Sequence, residues 1–158
     1  MADAPRRRQL HFDTIDEVVE NAQQLASGDV ETTGKFTYGQ ILEHLARTLD
    51  VVTGHIPGAS VTFPMRMMAR IMRPFILSRP MSPGFKLPAT AQAVYWPSEA
   101  VDTSAALAHL KEAVERYKQN GPIPKHPVFG TMTRRQHDQL QCRHCALHLS
   151  FVHPVSTV

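Results

Sequence analysis

The 158-residue sequence predicts an all-α fold. Three threonines, Thr14, Thr37 and Thr133, are each followed three residues later by Glu or Gln and then by a run of helical character. Five segments read as helix, and strand-type alternation is almost absent. A composition of 42% hydrophobic and 20% charged residues is that of a globular chain rather than a disordered one. At this length one core suffices, burying roughly two thirds of the unfolded surface. No stretch approaches the roughly 18 to 20 apolar residues of a membrane span.

Thr14 and Glu17 have capping-box spacing, and Ile15, Val18, Val19, Ala22 and Leu25 repeat behind them, which predicts a first helix over 15–26, stopped by Ser27-Gly28-Asp29. Thr37 with Gln40 opens a second, through Ile41, Leu42, Leu45, Leu49 and Val52, ended by Gly54. The third starts at Pro64 and meets Pro74, so a kinked or broken helix is expected. Its Arg66, Arg70 and Arg73 share a face. That pattern suits a membrane surface or a partner groove, but the favoured expectation is a basic face in water with methionines filling gaps inside. From 78 to 98, Pro80, Pro83, Gly84, Pro88 and Pro97 predict a long loop or lid of the kind that often borders a site. Thr103 or Ser104 caps a fourth helix through Leu107, Leu110, Val114 and Tyr117, ended by Asn120-Gly121-Pro122. After a proline-stiffened loop over 122–130, Thr133 with Gln136 opens the fifth, which ends before Pro154. Residues 1–12 read as a tail and 13–154 as one domain.

The net charge is +3, with a sequence pI near 9.1. Its clearest cluster, Arg6-Arg7-Arg8, reads as a solvated tail without interleaved aromatics, so nucleic-acid binding is not expected. Residues 13–31 are acidic and polar where an export signal needs an apolar stretch, which leads to the expectation of a cytoplasmic protein.

Cys142 and Cys145 are the only cysteines. On one helix a bridge between them constrains almost nothing, and a lone C-x-x-C reads as two reduced, packed side chains. His144 and His148, in contrast, stand one turn apart on one helix face, about 6 Å along the axis, close enough for both imidazoles to reach one metal ion. Cys145 points about 100° away from His144. The wheel places His137, Leu140, His144, Leu147, His148 and Phe151 in one inward stripe, where buried imidazoles need partners for both nitrogens. His137 is roughly 10 Å from His144 along the axis, too far to share its ion. A third donor must come from elsewhere. His44, bordering the apolar stripe of the second helix, is the best candidate, but spacing alone does not choose it over His11, His55, His109, His126 and His153.

Resemblance makes the choice. Gly39-Gln40-Ile41-Leu42-Glu43-His44-Leu45-Ala46, the loop His126-Pro127-Val128-Phe129-Gly130 and the terminal His144-x-x-x-His148-Leu149-Ser150-Phe151 resemble the DinB-like (YfiT-like) metalloenzyme superfamily. They are most similar to its bacterial branch of domains of unknown function, over nearly the whole chain. The resemblance implies an antiparallel four-helix bundle, here with an additional kinked helix and long Pro-rich loops. In it one histidine of the second helix and two of the last hold a divalent metal, positions matched by His44, His144 and His148. Leu147 stands where relatives often have a further histidine, and His137 where they often have a tryptophan.

Three neutral imidazoles leave positions open on zinc, nickel or iron, as in a catalytic site. The resemblance further implies a low-molecular-weight thiol as cosubstrate, and relatives are often homodimers. The expected function is a metal-dependent hydrolase or thiol-dependent transferase acting on a small molecule. The alternatives are a non-catalytic metal-dependent binding module and a structural bundle of hydrogen-bonded histidines. The sequence assigns no role to His126 or His137.

Overall fold

Local capping chemistry sets where the helices begin. In a computed structural model, which describes residues 6–155, six helices and two small strand pairs follow in the order α1 (Ile15–Ala26), β1 (Val30–Thr32), α2 (Tyr38–Val52), α3 (Phe63–Ser78), α4 (Ala89–Tyr95), α5 (Thr103–Asn120), β2 (Lys125–His126), β3 (Gly130–Thr131), α6 (Arg134–Leu149) and β4 (Val152–Pro154). The chain is therefore mostly helical. Thr37 and Thr133 form reciprocal capping boxes with Gln40 and Gln136. Thr14 accepts from the Glu17 amide, but the Glu17 carboxylate turns back to the amide of Asp13, one residue earlier than a full box requires. At α5 the cap is neither Thr103 nor Ser104: the Asp102 carboxylate accepts from the Ala105 amide at 2.9 Å.

Four helices share one core, built from residues such as Val18 and Ala22 of α1, Leu42 and Leu49 of α2, Leu110 and Tyr117 of α5, and Cys145 and Leu149 of α6. Burial of such side chains is worth about 1.5 to 3 kcal/mol each, which makes this shared face the main source of stability. Their relative directions follow from end contacts. The Tyr38 hydroxyl donates to the Ala22 carbonyl, so α1 and α2 run oppositely. The Tyr117 hydroxyl donates to Asp138, so α5 and α6 also run oppositely. Between α2 and α5 the sense is the same. A Cβ on Gly39 would collide with the Val101 carbonyl oxygen, which joins the starts of the two helices, while the Ile123 amide donates to the Val52 carbonyl at their ends. Two of these helices thus run each way, and α2 with α5 is the neighbouring pair that runs together. Their parallel packing obliges segment 53–102 to travel back along about 22 Å of α2.

That returning segment bears on three expectations. Of a kinked or broken α3, the break is excluded, since the helix passes through Pro74 without interruption; Pro74 is exposed, so the Arg70 carbonyl that loses its N–H partner can turn to water. A short helix, α4, lies within the expected loop over 78–98. The favoured picture of α3 fails for its methionines and holds for two of its arginines: Met67, Met68 and Met72 are exposed, as are Arg66 and Arg70, while Arg73 donates to the carbonyls of Phe129 and Thr131 and Arg70 reaches over Gly130. Strand-like hydrogen bonding also closes both ends of α6, β2 pairing with β3 and β1 with β4. Helix α6 accordingly ends at Leu149, and Phe151 falls in the turn beyond it, half-buried against Gly34. Among the described residues of the expected tail, Phe12 joins the core and Arg8 donates to the Leu149 carbonyl and to Asn21, while residues 1–5 lie outside the described residues. No helix among the described residues is long and apolar enough to cross a membrane.

Candidate metal centre

Because α2 and α6 pack side by side in opposite senses, the start of α2 meets the end of α6. His44, His144 and His148 are brought together there. The His44 Nε2 lies 3.2 Å from the Nε2 of His144 and 3.2 Å from that of His148. One ring nitrogen of each lies within 4.8 Å of the others.

Hydrogen bonding settles the tautomer of the central ring. His44 Nδ1 is 2.9 Å from the Tyr95 carbonyl oxygen, which can only accept, so Nδ1–H donates and Nε2 bears the lone pair. Burial, with the neighbouring His144 and Arg47 adding to it, holds the His44 pKa well below the ordinary histidine value. Burial likewise pushes His144 down to about 4 and His148 well below normal. All three are neutral at pH 7. One in-plane lone pair can meet one N–H well, yet two imidazole nitrogens stand at the same distance from it. A cation between the three rings would satisfy all of them. Two nitrogens each about 2.0 to 2.1 Å from a tetrahedral zinc stand about 3.3 Å apart, so the observed spacing and the neutral nitrogen donors fit such an ion.

The ring of His44 is also clamped from its face. Trp96 stacks on it at 3.7 Å with planes 5° apart, Phe36 stacks on the other side of Trp96 at 3.8 Å, and the indole meets His148 edge-on at 5.2 Å. Both Tyr95 and Trp96 arrive on the segment that returns along α2. Sequence reasoning named neither. The signal that could have found them is the single tryptophan of the chain, set in the proline-rich stretch already suspected of bordering a site. An open cleft of about 330 Å³, lined by Arg47, Trp96 and Val101 among others, meets the cluster through the indole.

The remaining histidines go elsewhere. His109 is held by Glu43 and Asp50, at 2.8 Å on each ring nitrogen. His126 accepts the amides of Val128 and Phe129 on Nδ1, so its hydrogen sits on Nε2. Burial, then His137 and His144, push its pKa down to about 4. His137 is 1% exposed, its ring 5.8 Å from that of His126, and neither of its nitrogens has a hydrogen-bond partner among the described residues. His11 pairs with Asp13, His153 donates to the Arg6 carbonyl, and His55 is exposed.

The expected inward stripe of α6 holds at His137 and Leu140, which are buried, and shifts beyond them: Gln141, Cys142, Cys145 and Leu149 are buried as well, while His144, Leu147 and His148 are only half-buried on the border. Both cysteines are free and packed in the core. Burial raises both thiol pKa values, that of Cys142 to about 11, which keeps them protonated and unreactive.

A family model described as "protein of unknown function (DUF1569)" matches residues 4–155. No curated protein and no solved structure matches the chain.

Proposed function

The chain belongs to the DUF1569 family, and we propose that it binds one divalent metal ion through His44, His144 and His148, zinc or nickel in first place and iron next. The observation that carries this reading is the single lone pair of His44 Nε2 facing two further Nε2 atoms, each at 3.2 Å. Hydrogen bonding among the rings leaves one of those nitrogens poorly met, and a buried polar atom without a partner costs about 1 to 3 kcal/mol. The purely structural reading of the histidines is therefore the weaker one.

The residues 13–154 are taken as one DinB-like domain, a four-helix bundle in which α1 and α6 run one way and α2 and α5 the other. A divalent ion held by three protein donors keeps at least one position open for a small molecule and acts there as a Lewis acid. The protein supplies the setting: burial keeps the imidazoles neutral, the Tyr95 carbonyl fixes the His44 tautomer, and Trp96 holds its plane. We assign the activity to a metal-dependent hydrolase or a transferase that uses a low-molecular-weight thiol. The second reading, a metal-dependent binding module, is favoured by one observation: the three-residue cluster contains no carboxylate to serve as a general base.

Elemental analysis of protein purified without added metal tests the site, with His148→Ala as control. About one ion per chain is expected in the wild type and almost none in the variant, with circular dichroism unchanged. Equal metal content in both proteins would reject the three-histidine site. Turnover of an electrophile that requires both metal and thiol, and is lost in His144→Ala, separates the enzyme from the binding module.

A further inference from the structure

Of the eight large hydrophobic residues exposed among the described residues, seven fall between 63 and 85. Phe63, Met67, Met68, Ile71, Met72 and Phe75 cover one half of α3 at helical spacing, with Ile71 68% exposed and Met68 60%, and Phe85 follows in the next loop at 76%. Isolated exposed hydrophobics are ordinary, but a contiguous face is not. This face is also mounted outward by specific contacts. Arg73 Nη1 donates to the Thr131 carbonyl at 2.7 Å and to that of Phe129 at 3.3 Å, while Leu77 packs with Met132 and Leu140. Rotating α3 to bury its methionines would break those bonds.

The charge around the face has one sign. Between residues 51 and 98 there is no Asp or Glu, whereas Arg66, Arg70, Arg73, Arg79 and Lys86 all fall there. Arg66, Arg79 and Lys86 are exposed. The Arg79 guanidinium lies 4.4 Å from the centre of the Phe75 ring, placing a cation at the margin of the apolar face. A second copy of the chain would bring like charges together across a two-fold axis, which opposes self-association. An apolar face edged by cations, on a helix too short and too charged to span, matches the interface of an anionic lipid bilayer.

We propose that α3 and the loop after it form a peripheral anchor that lays its Phe63–Phe75 face into an anionic phospholipid surface. Methionine and phenylalanine side chains enter the acyl boundary, and Arg66, Arg79 and Lys86 meet lipid phosphates. The cluster of His44, His144 and His148 takes no part, so the proposal stands independently of metal binding.

Cosedimentation of the full chain with phosphatidylcholine vesicles, with and without phosphatidylglycerol, tests it. Binding is expected to the anionic vesicles and to weaken as salt rises. The surface variant M68E/I71E should bind at least about tenfold more weakly while keeping the wild-type circular dichroism spectrum and metal content. Because both positions are exposed, the fold should tolerate the change; a second variant, R66E/K86E, removes the electrostatic part alone and should weaken binding in the same direction. Equal binding to neutral and anionic vesicles, or undiminished binding by M68E/I71E, would overturn the proposal. So would a wild-type dimer, or capture of an acidic protein, that M68E/I71E abolishes while no vesicle binding is seen.

Discussion

Two neighbouring residues on α2 serve histidine environments of opposite kind. His44 faces two further imidazoles at the end of α6 and stacks on Trp96. Glu43, one residue earlier and about 100° around the helix, accepts from His109 on α5. Asp50, seven residues beyond Glu43 and on nearly the same face, takes the other nitrogen of His109 and also binds Arg116. Arg47 completes this group against Glu43 at 2.8 Å. Both environments are partly dry, yet their charge states diverge. At His109 burial pulls the pKa down, but hydrogen bonds and charges from Glu43 and Asp50 outweigh it and raise the value. At His44 no carboxylate opposes burial, and the ring stays neutral. A histidine stays neutral, with a lone pair free to donate, or becomes the charged member of an ion pair according to the charge of its neighbours, not its own burial alone.

Breaking the neutral cluster should have the largest effect. His44→Ala removes one of the three proposed donors, and affinity for zinc or nickel, measured by competition with a chelator, should fall by at least about a thousandfold, some 4 kcal/mol. His109→Ala should leave that affinity nearly unchanged. A comparable loss in both variants would erase the distinction between the two sites.

The pH dependence of metal-free protein sharpens the comparison further. The unfolded chain binds protons at histidine near pH 6.5, while His144 in the folded protein waits until about 4. Stability therefore falls as pH drops from about 6.5 to 4, by up to about 3 kcal/mol for this residue. His109 acts in the other direction: its folded value is raised, so its contribution is complete below 6.5 and is lost as pH climbs through that raised value. Denaturant melts across pH should show both slopes. His109→Gln should remove only the alkaline one, and an alkaline slope persisting in that variant would contradict the ion-pair assignment.

Removing the clamp costs somewhat less. His109→Ala leaves Asp50, whose side chain is only 4% exposed, with Arg116 as its remaining partner, and should destabilise the protein by about 2 to 3 kcal/mol with metal content intact. The smallest effect is expected at the face of His44. Trp96→Leu should weaken metal affinity by about tenfold, since the ring keeps its Tyr95 hydrogen bond but loses its stacking partner. In the wild type Trp96 is the only tryptophan, so metal titration should change its fluorescence, and a silent titration with metal bound would place the ion away from His44.

Much of the local structure is legible in the sequence alone. The Thr37 and Thr133 boxes mark their helix starts because a cap and its N3 partner lie three residues apart, and α1 covers the residues its apolar period selects. The pairing of His144 with His148 is equally local, since one turn of α6 puts both on one side. Elements with few local cues were missed: seven-residue α4 and the two-residue strands β2 and β3 are too short for a periodic pattern. Misreading α3 had a different cause. Its apolar and basic stripes are both visible in sequence, but period alone does not say which stripe faces the protein.

By itself, then, the sequence determined the helical class, the caps and the His144–His148 pair, because these depend on separations of three or four residues. His44 was selected by resemblance, and only the tertiary structure brings its Nε2 to the other two, across 100 and 104 positions of chain. The same holds for the Tyr95 carbonyl, the Trp96 stack, the parallel run of α2 with α5 and the outward face of α3. Each depends on the path of the segment returning from Val52 to Thr103. That path is chosen by packing over the whole core, where burial is non-directional and many local patterns satisfy it equally well.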